Sequence, residues 1–208
     1  IVGLSNHAIS HYEVNVRLKS GTGAHLDHSE EDMILAGNDL LAMFDIARLN
    51  RAAILASRLE ARGKTGSLLS EVTAPSITNA AFLENFARIY EERSAISQQL
   101  VMTMSQAAVD SFSSSAWQAL SDMHAFGFRF ALDRITHMRT DFANLAERGF
   151  AFVKLDAAAL TLGLRTQTGF VPADQVCRAI AGAGLAVVAS GIEDEATRAR
   201  VFGFGVLL

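Results

Sequence analysis

Six short apolar runs end in residues suited to holding a charged ligand. The first is YEVNVR, where Glu13, Asn15 and Arg17 alternate with Val14, Val16 and the Leu18 that follows. Alternation at period two marks a strand with two unlike faces, so the three polar residues share a face. The other runs close on Glu71 and Thr73, on Thr103 and Ser105, on Asp133 and Arg134, on Lys154 and Asp156, and on Ser190 with Glu193 just beyond. Any one of these is what a strand leaving into water looks like. Gathered at one rim, the acids, cations and small hydroxyls make a place for a phosphorylated ligand.

The elements that must gather them read as a βα repeat. A strand over residues 8–18 is followed by the polar turn SGTGAHLDHSEED. A long amphipathic stretch from about Met33 to Leu59 reads as two helices broken near AGNDL, and ARGKTG stops it. Further strands are expected at SLLSEVT (67–73), QQLVMTMS (98–105), FRFALD (128–133), FAFVKLD (150–156), LAVVAS (185–190) and FGVLL at the end. Helices are expected between them, at ITNAAFLENFARIYEER, VDSFSSSAWQALSDMHAFG, MRTDFANLAERG, VPADQVCRAIAGAG and IEDEATRARVFG. The period of about 30 residues predicts an α/β chain with a mostly parallel sheet, a (β/α)8-type (TIM-like) barrel with clipped ends rather than an open sheet. In such a barrel the βα ends carry the chemistry. No Pro- or Ser-rich linker divides residues 1–208, so one domain is expected, cut from a longer protein.

Bulk properties narrow the classes of function. A net charge of -4 without a basic stripe argues against binding a nucleic-acid polymer. No apolar run of about 18 residues occurs, so this segment is not expected to insert in a membrane. The lone Cys177 sits in an apolar helix pattern, excludes an intramolecular disulfide and reads as a core residue in a reducing compartment. A cytoplasmic location is expected, with any inner-membrane tether supplied upstream.

The order of these pieces resembles the EAL domain, the cyclic di-GMP phosphodiesterase barrel, from IVGLSNHAISHYEVNVRL to GLAVVASGIEDEATRARVFGFGVLL. FRFALDRITHMRTDFANLAERGFAFVKLD resembles the family's stretch from its Asp-Asp-Phe-Gly motif to its Lys-Ile-Asp motif. VVASGIED resembles its Val-Ala-Glu-Gly-Val-Glu motif. The resemblance implies two divalent metals held by carboxylates and one amide, which generate a hydroxide and stabilise the leaving oxygen. Glu13 matches the Glu of the Glu-Ala-Leu signature, and Asn15 stands where its Leu would be. The family's Asn ligand falls at Glu71, its third-strand Glu at Thr103 and its Asp-Asp pair at Asp133 and Arg134. The family's lysine is kept as Lys154. The Glu of the Ala-Glu-Gly motif has become Ser190, while Glu193 keeps the later Glu, which in the family steadies the loop after the Asp-Asp pair. Arg17 matches a phosphate-contacting Arg.

These departures predict a chain without phosphodiesterase activity, with no metal and no cofactor. Two carboxylates are gone, and an inward Arg134 would repel a divalent ion by about 4 kcal/mol per unit-charge pair at 4 Å and an effective dielectric near 20. The relics Glu13, Asp133, Lys154 and Glu193 then need other work. Lys154 is expected to bridge to Asp133 or Glu13 across the mouth. Arg17, Glu13, Asn15, Asp133 and Lys154 are the ligand-binding candidates. The leading reading is a catalytically inactive receptor that binds cyclic di-GMP and acts through a protein partner. The alternative is a scaffold that binds protein and no nucleotide, and the least supported is a residual phosphodiesterase. The divergence resembles that of flagellar-positioning receptors of the TipF type. Oligomeric state is open. HLDH (25–28) reads as a solvated loop, His137 as a surface residue of the diverged loop, and Asp110 as a helix cap.

Overall fold

A six-stranded parallel sheet carries the fold, in the order β1-β4-β5-β6-β7-β10. The computed structural model describes residues 1–4, 8–15, 18–19, 25–26, 37–166, 169–206 and 208. The ladder strands are β1 (Tyr12–Val14), β4 (Leu68–Glu71), β5 (Leu100–Ser105), β6 (Arg129–Asp133), β7 (Phe150–Asp156) and β10 (Ala186–Ser190). Two antiparallel pairs stand apart from it, β2 (Leu18–Lys19) with β3 (His25–Leu26) and β8 (Leu164–Thr166) with β9 (Gly169–Val171). The helices are α1 (Asn38–Ala61), α2 (Ala80–Glu92), α3 (Ile96–Gln99), α4 (Gln106–Asp110), α5 (Ser114–Ala125), α6 (Phe142–Glu147), α7 (Ala157–Leu162), α8 (Ala173–Gly182) and α9 (Glu195–Gly203). The result is a half-barrel of alternating strands and helices, as the repeat predicts.

Strands such as LVMTMS are buried along their whole length because the sheet is covered on both faces. The outer face packs on the helices through Met102, Met104, Phe130, Leu132, Val153 and Leu155. Full burial of a side chain such as Phe130 contributes about 1.5–3 kcal/mol. The inner face has its own smaller cluster of Leu69, Val101, Ala131, Phe152 and Val188. Period two then sends Glu71, Thr103, Asp133, Lys154 and Ser190 to that inner face, above the apolar floor. Register fixes their neighbours, since Glu71 pairs with Thr103, Ser105 with Asp133, Val188 with Lys154 and Ser190 with Asp156.

Several boundaries differ from the sequence reading. The first strand is confined to Tyr12–Val14. The α1 helix runs unbroken from Asn38, so AGNDL is its start and not a break between two helices, while residues 33–36 lie outside the described residues. The stretch after β5 forms two helices because Ser113 accepts from the Ala116 amide at 3.3 Å and starts a second one. Asp110 therefore ends α4 and caps nothing. The α7 helix and the β8–β9 hairpin were not anticipated. The expected last strand begins as a turn at Phe204–Gly205, and Leu208 accepts from the Ala189 amide at 2.9 Å. His25 and Leu26 pair as a strand, and residues 27–28 of the HLDH loop lie outside the described residues. Gly66 cannot be replaced at its turn, because a Cβ there would stand 2.3 Å from the Ser10 carbonyl oxygen and its φ is 113°. Among the described residues no helix is long and apolar enough to cross a membrane.

Candidate functional site

The carboxyl ends of the strands bring the expected charges together. Lys154 Nζ donates to Glu13 Oε1 at 2.6 Å and to Asp133 Oδ2 at 3.0 Å, joining β1, β6 and β7. The expected bridge across the mouth is present with both acids. The Lys154 side chain keeps 9% of its exposure, against 39% for Glu13 and 26% for Asp133. Burial alone would lower the lysine pKa, but the hydrogen bond to Glu13 and the charge of Asp133 outweigh it and raise it. Lys154 thus stays protonated.

A second ion cluster stands one strand away. Glu71 binds Arg134, from the end of β6, and Arg48, from α1, whose Nη1 lies 3.4 Å from Glu71 Oε2. Arg48 also donates to the Glu71 carbonyl at 2.9 Å and stands 3.4 Å from Asp45 Oδ1. Asp45 is fully enclosed, and its Oδ2 accepts from the Thr73 amide, the Thr73 hydroxyl and the Ser76 hydroxyl, each at 2.7 Å. Burial raises its pKa, against the pull of those donors and of Arg48.

Arg134 has a left-handed backbone, φ 53°, which costs a non-glycine residue about 1–2 kcal/mol. Its amide donates to Asp133 Oδ1 at 2.7 Å, which helps hold that conformation. Gln106, almost fully buried, secures the loop that follows. Its Oε1 accepts from the Thr136 amide at 2.7 Å, the Thr136 hydroxyl at 3.0 Å and the His137 amide at 3.1 Å. Its Nε2 donates to the His137 carbonyl and to the Thr140 hydroxyl, both at 2.8 Å. His137 Nε2 lies 2.8 Å from Asp110 Oδ2, so this histidine faces α4.

Other candidates are used locally. Asp156 Oδ1 accepts from the Ala159 amide at 2.6 Å and caps α7. Ser105 caps α4 through the Ala108 amide, and the Ser190 hydroxyl turns to the Leu155 carbonyl at 3.4 Å. Thr103 is 4% exposed, and its Oγ1 has no partner among the described residues. Asn15 is exposed just past β1. Glu193 is exposed and makes no hydrogen bond or ion pair among the described residues. Arg17 lies outside the described residues. Sequence reasoning missed Asp45, Arg48 and Gln106. Polar residues at positions that helical spacing turns inward were the available signal.

A (β/α) half-barrel with a charged mouth at its strand ends defines a class of ligand-binding or catalytic α/β domains. A family model described as EAL domain matches residues 1–208, and the chain belongs to that family. The EAL domain of FimX from Xanthomonas citri, in complex with c-diGMP, superposes with a TM-score of 0.79 at 18% identity, over 99% of this chain and 80% of that one. Vibrio cholerae LapD, bound to c-di-GMP, gives 0.75 at 16%, over 99% and 49%. The EAL enzyme Bd1971 in its cAMP-bound form gives 0.72 at 15%, and this chain spans 58% of its length. These likenesses are of fold. No sequence among the curated proteins matches the chain.

The residues present do not fit the metal pair that the family resemblance implies. Among the described residues no group of three His, Cys, Asp or Glu side chains could hold a metal ion. Glu13 and Asp133 are engaged by Lys154, and Glu71 by Arg48 and Arg134. Each of these three carboxylates thus already has a cation beside it, and Arg48 is shared with Asp45. A divalent ion would have to displace ammonium or guanidinium groups and then sit beside them.

Proposed function

We propose that this chain is a catalytically inactive EAL signalling module, a cytoplasmic receptor that binds cyclic di-GMP and passes its bound state to a protein partner. The observation that supports this reading is the cation arrangement. Lys154 and Arg134 are held at the mouth by Glu13, Asp133 and Glu71, which stand where the family resemblance puts metal ligands. Cations fixed at strand ends suit a phosphodiester, and Arg17 adds a guanidinium at the position of the family's phosphate contact. Without bound metal there is no activated hydroxide, so a bound nucleotide is released intact. Calorimetry with cyclic di-GMP, with and without Mg²⁺ or Mn²⁺, tests both halves. Saturable binding with intact nucleotide is expected, and linear product above a Glu13→Ala control would overturn the inactive reading.

One observation favours the alternative, a nucleotide-independent scaffold. Among the described residues Glu13, Asp133, Glu71 and Asp45 face Lys154, Arg48 and Arg134, so these groups present no net positive charge to an anion. Under that reading calorimetry gives no heat, and Arg17→Ala has no effect on partner binding.

A further inference from the structure

The geometry points to an anion site built by Arg48 and Arg134 that Glu71 occupies in cis. We infer that its external ligand is a phosphate group, and that Glu71 is a tethered competitor that tunes access to it.

Two guanidinium groups from distant parts of the chain converge on one carboxylate. Arg48 comes from α1 and is fixed before any contact with the Glu71 side chain. Its guanidinium lies over the Phe44 ring, 4.7 Å from the centroid, and its Nη1 donates to the Glu71 backbone carbonyl at 2.9 Å. Asp45, itself held by Thr73 and Ser76, faces it from the preceding turn of the helix. Arg134 comes from the opposite side of β5. Its left-handed backbone and the Gln106-held loop after it set the direction from which it reaches Glu71. Arg48 is therefore positioned by contacts that do not involve the Glu71 carboxylate, while for Arg134 it is the backbone that such contacts fix.

A strand-end glutamate does not need two cations. At the surface it is satisfied by water, and burying an arginine beside it costs desolvation. The Arg48 side chain is only 9% exposed. Two guanidinium groups meeting the two oxygens of one carboxylate, one of them fixed beforehand, is instead an arrangement that suits phosphate, with carboxylate as the smaller oxyanion in its place. A third donor stands on the neighbouring strand. Thr103 is the register partner of Glu71, and its buried Oγ1 has no partner among the described residues.

A carboxylate attached to the site acts at an effective concentration of about millimolar or more. Free phosphate must compete with it. Removing the carboxylate should leave Arg48 in place, because the backbone carbonyl of residue 71 and Asp45 still hold it, and should release Arg134 to meet the incoming phosphate. This inference rests on the mouth being read as a phosphodiester site only for the identity of the natural ligand. The anion site itself can be tested with inorganic phosphate alone.

The experiment measures inorganic phosphate binding by calorimetry to the full chain, to Glu71→Ala, to Glu71→Gln and to Glu71→Ala combined with Arg134→Ala. Circular dichroism and thermal unfolding report whether each is folded, and the isosteric Glu71→Gln serves if Glu71→Ala is not. The expected result is at least tenfold tighter phosphate binding in the folded single variants, with that gain lost when Arg134 is also removed. No gain in either single variant, or a gain that survives Arg134→Ala, overturns the site. Cyclic di-GMP titrated into the unaltered chain is read separately. Its failure to bind removes the receptor reading and leaves the phosphate result standing.

Discussion

Lys154 and Glu13 are 141 residues apart in the chain, yet Nζ and Oε1 meet at 2.6 Å. With Asp133 as the third member, this contact links the edge strand β1 to β6 and β7 on the other side of the sheet. Replacing Lys154 by Met leaves two carboxylates facing one another without their cation. Loss of a partner from a fully buried pair costs about 3–5 kcal/mol. Glu13 at 39% and Asp133 at 26% side-chain exposure are partly rehydrated, so about 1–3 kcal/mol is expected. Urea unfolding measures it, and adding Glu13→Gln and Asp133→Asn should recover part of the loss.

The same lysine sets an alkaline limit. Its pKa is raised in the folded state, so its contribution is complete below the ordinary lysine value of 10.5 and is lost as pH rises through the higher folded value. Above that ordinary value, stability of the unaltered chain should fall more steeply with pH than that of Lys154→Met. Parallel curves in pH-dependent unfolding would contradict the assignment.

Gln106 accepts or donates five hydrogen bonds to residues 136–140. Gln106→Leu leaves the amides of Thr136 and His137 without their acceptor. A loss of about 2–4 kcal/mol is expected, from unmet amides at about 1–3 kcal/mol each. Hydrogen exchange should accelerate at those two amides while the amides of β5 stay protected.

Thr103 presents the opposite case. Its buried hydroxyl lacks a partner among the described residues, so Thr103→Val removes a desolvation cost and keeps the shape. The variant should be as stable as the parent or more so by about 1 kcal/mol in urea unfolding. A clear destabilisation would mean that the hydroxyl is bonded in solution.

The sequence reading and the structure agree where information is local or periodic. FAFVKLD is a strand to the residue, because its apolar run is bounded by Gly149 and by the capping Asp156. The Lys154 bridge was legible because buried acids left without a metal need a cation, which Lys154 could supply. Asp156 itself was read as a mouth acid, although the three residues after it, Ala157 to Ala159, start a helix whose amide claims the carboxylate. The α7 helix and the hairpin after it were not legible because six and three residues are too few to show a period. Helical spacing could mark such polar residues as inward-facing, but it names no partner for Arg48 or Gln106. Arg48 reaches Glu71 across 23 residues and Gln106 reaches Thr136 across 30, contacts that only packing of α1 and α4 on the sheet creates. Glu71 was read as standing at an amide ligand's position, and the structure pairs its carboxylate with Arg48 and Arg134.

On the proposed function, the mouth keeps its cations for a cyclic dinucleotide and holds no metal pair to cut it. Calorimetric titration of cyclic di-GMP in the presence of Mg²⁺ tests this most directly, because binding heat and hydrolysis heat appear in one trace. The account predicts a saturable isotherm with a dissociation constant well below about 1 mM, equivalent to ~4 kcal/mol, and nucleotide recovered intact. Absence of binding heat, or continuing heat with linear product above the Glu13→Ala control, would contradict it.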